Sequence, residues 1–446
     1  MNRNFKLFTA FLCFFLLFSS VFSASKKDKK TLLWTDEKVP SIKESYKDIF
    51  DSFGIACEYK PWNRNFGELQ SPKVREGLSK HADSITMGNE FKPDSIIGIP
   101  WGQTKAVLSG KKFTASNGLT IDVPSLKGLS RMQTILKDAS SAGLKMRGHV
   151  LTWHSQTPEA FFRENFDANK PLVDKETMTA RHEWYIKSVL EAVAEWEAAN
   201  GYGPGNHLVW AWDVVNEAMA DDAQRVYTGD KQNWLRGSTG GTKDKKPSEG
   251  GSRWYQIYGS EEFIVNAFRF ANAYAPADVK LCYNDYNEYM DYGNGWKTSA
   301  ILHLTEVLRD APAQKVDGRE VKPRLDVIGM QSHVGNTWPG VKGYENALKR
   351  FLQAGYDVHV TEIDIAAKSP SEAAKLYGEY FNMLKNYGKN YSGDHHITNV
   401  TVWGISNQES WIGNNGSQYP LLFDRKETDY YPNDAFYSVI NAALEN

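Results

Sequence analysis

A chain of 446 residues with 41% hydrophobic and 24% charged side chains can build one large domain or two average ones, with a core that needs no staples. Its 52 basic and 54 acidic residues give a formal net charge of −2, which excludes the basic footprint of a nucleic-acid-binding protein. The 14 Trp and 22 Tyr are numerous, and flat amphipathic rings set among hydrogen-bonding groups suit a sugar or a nucleobase.

In chain order, residues 1–23 read as a secretory signal peptide. They run from a basic "MNRNFK" through the apolar "LFTAFLCFFLLF", too short for a membrane span, to the small residues Val21 and Ser23 before a cut at Ala24. Residues 24–40, with "SKKDKKT", read as a solvated linker, and 41–446 as one mature domain. No later stretch is long and apolar enough to span a bilayer, so the expectation is a secreted, soluble monomer that binds neither nucleic acid nor, once the leader is cut, membrane, with an uncleaved membrane anchor as the alternative. Of the cysteines beyond the leader, Cys57 and Cys282 lie in separate apolar runs and read as buried thiols rather than a disulfide.

Eight short apolar runs then recur as candidate strands: 53–58, 84–89, 144–151, 208–216, 279–285, 325–333, 356–364 and 399–406. Helical patterns lie between them. Over 183–196, Ile186, Val189, Val193 and Trp196 recur at helical spacing, and 261–274 and 371–386 behave likewise. Strands that alternate with helices predict an α/β chain folded as a (β/α)8 barrel, the TIM barrel. An open doubly wound sheet is the alternative, but no glycine-rich fingerprint follows the first strand. Two long polar segments extend the loops after strands two and four, residues 94–128 and 220–253. In a barrel such loops lie on the catalytic face.

The same fold brings the polar carboxyl ends of the strands to one mouth. There the sequence places Asn89 and Lys92, His149, Trp153 and His154, Asn216 and Glu217, Asn284 and Tyr286, Gln331 and His333, Glu362 and Asp364, and Trp403. Glu217 and Glu362 supply the two carboxyl groups that glycoside hydrolysis needs, one protonated and one ionised. Asp364, two residues beyond Glu362 on the same strand face, is placed to hold one nitrogen of His333 while the other reaches Glu362.

The motifs "NEFKP" (89–93), "GHVLTWHSQTP" (148–158), "WDVVNEA" (212–218), "YNDYN" (283–287), "GMQSHV" (329–334), "VTEIDI" (360–365), "VWGISNQESW" (402–411) and "PLLFD" (420–424) together resemble the family 10 glycoside hydrolases, endo-β-1,4-xylanases, over residues 41–445. The resemblance implies a retaining mechanism with Glu217 as acid/base and Glu362 as nucleophile. It further implies that Asn216 meets the sugar 2-hydroxyl and that His149, Gln331 and His333 line the cleaved site. Asn89, Lys92, Trp153, Gln156, Trp403 and Trp411 would hold glycone xylose units, with Asn284 and Tyr286 at the same mouth. No cofactor or metal is implied, and the partners would be xylan and xylo-oligosaccharides.

Four positions depart from that pattern. Gly88 stands where a sugar-binding glutamate is common, so that contact is either missing or supplied by Glu90 or the 94–128 insertion, and Pro93, Asn407 and Ile412 replace other usual residues. Three alternatives stay open at this point. They are a β-1,4-glucanase of the same fold, a metal-dependent hydrolase using His149, His154 and His333, and a non-catalytic polysaccharide-binding protein.

Overall fold

The computed structural model describes residues 32–60, 69–220, 233–238, 241–290, 297–413 and 418–445; the signal-like residues 1–23 and residues 24–31 of the linker lie outside them. Eight parallel strands close into a barrel: β1 (Ser52–Cys57), β2 (Ser84–Met87), β3 (Lys145–Trp153), β4 (Val209–Asn216), β5 (Lys280–Asp285), β6 (Val327–Met330), β7 (Asp357–Ala366) and β8 (Ile397–Val402). Each pairs with its sequence neighbours, and β8 closes the ring onto β1 through Ser52 opposite Asn399. A helix follows each strand: α1 (Pro72–His81), α2 (Leu129–Ser141), α3 (Lys175–Ala199), α4 (Glu262–Tyr274), α5 (Lys297–Asp310), α6 (Val341–Gln353), α7 (Pro370–Leu384) and α8 (Asp434–Leu444). The expected (β/α)8 barrel is therefore the fold.

The local causes are legible. All of β1 and β2 is buried, as expected of strands packed on one side by side chains filling the barrel and on the other by helices. Helix α6 buries Tyr344, Ala347, Leu348, Phe351 and Leu352, a stripe at three- and four-residue spacing that meets the sheet. Asp174 caps α3 through the Thr177 N–H at 2.7 Å, and Ser369 with Pro370 starts α7. Cys57 and Cys282 are buried thiols on β1 and β5, next to Met87 and His359 respectively, with no disulfide between them. Met87 and Met330 are barrel core. Of three glycosylation sequons, Asn399 is fully buried in β8, and Asn415 lies outside the described residues. His395 and His396 are half-buried against Asp357 and Asp51.

The insertion at 94–128 has structure of its own. A short helix, Pro93–Ile97, leads to a hairpin of Leu108–Thr114 on Thr120–Pro124. In the second insertion Met219 bridges Leu235, Trp234 is buried, and Gln256 ties down the carbonyls of Lys243 and Lys245.

Bulges re-aim the strand ends. Opposite β8, the three-residue step from Val360 to Ile363 spans only Val400 to Val402, and the step from His149 to Thr152 likewise outruns Asp213 to Val215. Extra residues of this kind turn side chains toward a rim. They sit next to Glu362 and His149.

Candidate active site

Glu217 follows β4 in the left-handed region, with φ 55, a conformation that strains a non-glycine residue and clusters at functional sites. Its N–H donates to the Asn284 carbonyl at 2.8 Å, and its own carbonyl accepts from Arg236 Nε at 2.9 Å, so the backbone is fixed from two sides. Three neutral donors reach its carboxyl: Trp153 Nε1 at 2.9 Å, Gln331 Nε2 at 3.0 Å and Asn216 Nδ2 at 3.1 Å. Burial dominates and raises the Glu217 pKa above the usual carboxylate range, although the Gln331 bond and the Arg236 charge pull the other way.

Glu362, near the end of β7, is more deeply buried than Glu217 and differently partnered. Asn284 Nδ2 donates to Oε1 at 2.7 Å, and His333 Nε2 lies 3.3 Å from Oε2. His333 Nδ1 bonds Asp364 at 2.8 Å, and Trp411 Nε1 donates to the other Asp364 oxygen at 2.8 Å. The register of His333 beside Asp364 makes this chain possible. Desolvation opposes charge on His333, but Asp364 and Glu362 outweigh it and hold the ring's pKa well above the ordinary histidine value. For Glu362, burial alone would raise the pKa; the His333 bond and the charges of His149 and His333 prevail and lower it.

Asn216 and Asn284 join the two carboxyls. Asn284 Nδ2 also donates to Asn216 Oδ1 at 3.0 Å, and Asn216 Nδ2 donates to Glu217. Thr361 Oγ1 fixes the Asn284 carbonyl oxygen at 2.6 Å, which assigns the amide's orientation. His149 is aimed from behind: its Nδ1 lies 2.9 Å from Asp213 Oδ2, and Arg147 pairs with the same carboxylate at 2.5 Å, all three buried.

The other expected residues converge as a second group. Lys92 Nζ donates to Gln156 at 2.8 Å and Asn89 at 3.3 Å, and lies 4.8 Å from the Trp153 ring centre. Trp403 packs edge-on against His149 and His333, and Trp411 against His333. Tyr286 accepts from Arg236 at 2.9 Å on the Glu217 side. Beside this group opens a cavity of ≈ 190 Å³ lined by Glu58, Lys60, Gly88, Trp403, Glu409 and Trp411.

Glu58 is the residue sequence reasoning missed. It lies just past β1, where its carboxylate pairs with the Lys60 ammonium and accepts from Asn89 Nδ2 at 2.8 Å. A side chain at position 88 would run into it, since a Cβ there would stand 3.3 Å from Glu58 Cγ. The carboxylate beside Gly88 thus comes from Glu58. Glu90, the expected substitute, is buried and turned to the Tyr59 N–H at 2.9 Å. An acidic residue just past a barrel strand was the available signal. Arg236 was missed because the polar 220–253 segment gave it no periodic context. Asn407 is structural, accepting from the Leu421 N–H and donating to Asp424. Among the described residues, no three His, Cys, Asp or Glu side chains are grouped to hold a metal ion.

The glycosyl hydrolase family 10 model matches residues 41–442. The chain is 32% identical over 402 residues to a bifunctional endo-1,4-beta-xylanase of Ruminococcus flavefaciens, covering 90% of this chain and 34% of that protein. It is 30% identical to endo-1,4-beta-xylanase A of Butyrivibrio fibrisolvens, covering 94% of this chain and 87% of that one. Several of these curated relatives are much longer, and the chain spans about a third of the first. Among solved structures, it resembles the CBM22-1–GH10 modules of an endo-1,4-beta-D-xylanase from Clostridium thermocellum complexed with xylohexaose. That match has a TM-score of 0.69 and 30% identity, covering 90% of this chain and 67% of that one.

Proposed function

The chain belongs to glycosyl hydrolase family 10, and from that premise we propose that it is a retaining endo-β-1,4-xylanase acting on xylan outside the producing cell. The observation that carries the reading is the pair of glutamates at the mouth, Glu217 inclined to keep a proton and Glu362 inclined to lose one. The signal-like pattern of residues 1–23 supports the location.

In the proposed cycle Glu217 gives its proton to the glycosidic oxygen as the carboxylate of Glu362 attacks the anomeric carbon. The bond to the leaving sugar breaks and a glycosyl ester forms on Glu362. Glu217, now ionised, takes a proton from a water whose oxygen attacks the same carbon, and Glu362 is released. Asn216, fixed by Asn284 and Gln331, is placed to bind the sugar 2-hydroxyl. Charged His333 steadies Glu362, and Asn89, Lys92, Gln156, Trp153, Trp403 and Trp411 bind glycone xylose units.

The test is product analysis on arabinoxylan, glucuronoxylan, mixed-linkage glucan and carboxymethylcellulose, with the anomer of the first product followed by NMR. Xylo-oligosaccharides released first as the β-anomer are expected. Glucan cut faster than every xylan would replace the reading with a glucanase, and a first-formed α-anomer would replace retention with inversion.

A further inference from the structure

Among the described residues two tryptophans are exposed. Trp411 belongs to the mouth. Trp101, with its whole surface open to solvent, has no part in the site described above. It lies on the segment that leaves the mouth after Lys92. The helix Pro93–Ile97 ends at Gly98 with φ 63, and Gln103 N–H then donates to the Pro100 carbonyl at 3.0 Å. With Gly102 at φ 75, residues 100–103 form a type II turn that holds Trp101 at its first central position. The indole stands at the apex of that turn.

Its backbone is fastened although its ring is not. Asp94 N–H donates to the Gln156 carbonyl at 2.8 Å, Ala106 N–H to Phe166 at 3.0 Å, and Ala168 N–H to Thr104 at 2.8 Å. These bonds tie the loop after β2 to the loop after β3, on the carboxyl rim of the barrel. A helix of five residues and four extended ones limit the Cα of Trp101 to within about 22 Å of Lys92. An exposed indole forgoes a large apolar burial, and one on a preset backbone loses little freedom when something covers it.

We propose that Trp101 is a remote stacking platform for the glycone arm of a long xylan chain, receiving a pyranose several units away from the bond that is cut. A xylose ring with equatorial hydroxyls presents C–H faces that match an indole. A second copy of this chain fits less well. The nearest exposed apolar residues along the segment are Val107 and Leu108, half-exposed among Gln103, Lys105, Lys111 and Lys112 in the sequence, far short of a stable interface. The inference rests on the xylanase reading.

Its test compares wild type, Trp101→Ala and Trp101→Tyr on polymeric xylan and on xylotriose, with binding to insoluble xylan measured alongside. The Ala variant should raise KM on the polymer and weaken binding about three- to tenfold. It should leave kcat/KM on xylotriose within about twofold, and Tyr should restore most of the loss. A wild type that cleaves xylan beside an Ala variant that matches it on the polymer, or that falls equally on both substrates, overturns the platform alone. So does a change in sedimentation without a kinetic effect, which would mark a contact between copies. A wild type inert on xylan overturns the functional reading and the platform with it.

Discussion

The ends of β4 and β7 carry the same side chain in opposite electrical surroundings. Glu217 and Glu362 are both shielded from bulk water, and burial pushes each toward its neutral form. Glu217 meets the neutral N–H groups of Trp153, Gln331 and Asn216, which moderate that push without reversing it. Glu362 meets a histidine whose far nitrogen is anchored to Asp364, and the resulting positive charge reverses it. The partner's charge, rather than the degree of burial, drives the two carboxyls apart in pKa, as the proposed acid and nucleophile require.

The largest expected effect tests that separation directly. Glu362→Gln replaces the proposed attacking carboxylate with a neutral isostere, and kcat should fall about a thousandfold or more on every substrate. Glu217→Gln should lose about 10²–10⁴-fold on xylan, whose leaving sugar needs a proton. On an aryl xyloside with an acidic phenol its first step should be nearly spared and the second slow, so stopped-flow traces should show a phenol burst. Equal losses on both substrates would erase the distinction between the two glutamates.

The next effects are in pH. Asp364→Asn removes the anchor that keeps His333 charged, so Glu362 loses the stabilisation of its ionised form and its pKa rises. In the proposed cycle Glu362 works ionised, so the acid limb of kcat/KM should move to higher pH, with about a tenfold loss near neutrality. Gln331→Met acts on the other carboxyl. It removes a donor that lowers the Glu217 pKa, which therefore rises further. In the proposed cycle Glu217 works protonated, so the alkaline limb should move to higher pH while the acid limb stays, with about a three- to tenfold loss. A profile in which either variant shifts the opposite limb would exchange the two roles.

Much of this contrast was legible in the chain. The eight apolar runs marked the barrel because parallel strands buried on both faces read as continuous hydrophobic stretches. The two-residue spacing of Glu362 and Asp364 foretold the grip on His333, since alternate residues share a strand face. What stayed hidden depends on where side chains cross between strands. Nothing in "GIACEYK" says that Glu58 reaches over Gly88 to Asn89. Arg236 lies far along a polar insertion, and only its fold back against Met219 and Ala218 brings it to the Glu217 carbonyl. The direction of each glutamate's pKa shift needed the partners, which strand ends alone do not name.

The smallest effect probes the amide that links the two carboxyls. Gly329 on β6 sits in register with Asn284 on β5, and a Cβ there would lie 2.6 Å from Asn284 Oδ1 and 3.1 Å from Thr361 Cγ2. Neither neighbour is free to retreat, because Thr361 bonds that same oxygen while the Asn284 nitrogen serves Glu362 and Asn216. Gly329→Ala should therefore cost about 1–3 kcal/mol of stability as an overpacked core. It should also loosen the Asn284 bond to Glu362, raising that carboxyl's pKa and moving the acid limb upward by less than Asp364→Asn does. Gly77→Ala gives the matched control. On α1, its Cβ would run into the buried ring of Trp34, with the nearest ring atom 2.0 Å away, and it touches neither Asn284 nor Thr361. Both variants should melt earlier in calorimetry, and only Gly329→Ala should move the acid limb. If the two change the pH profile alike, the amide bridge carries no share of the charge separation, and His333 alone keeps Glu362 ionised.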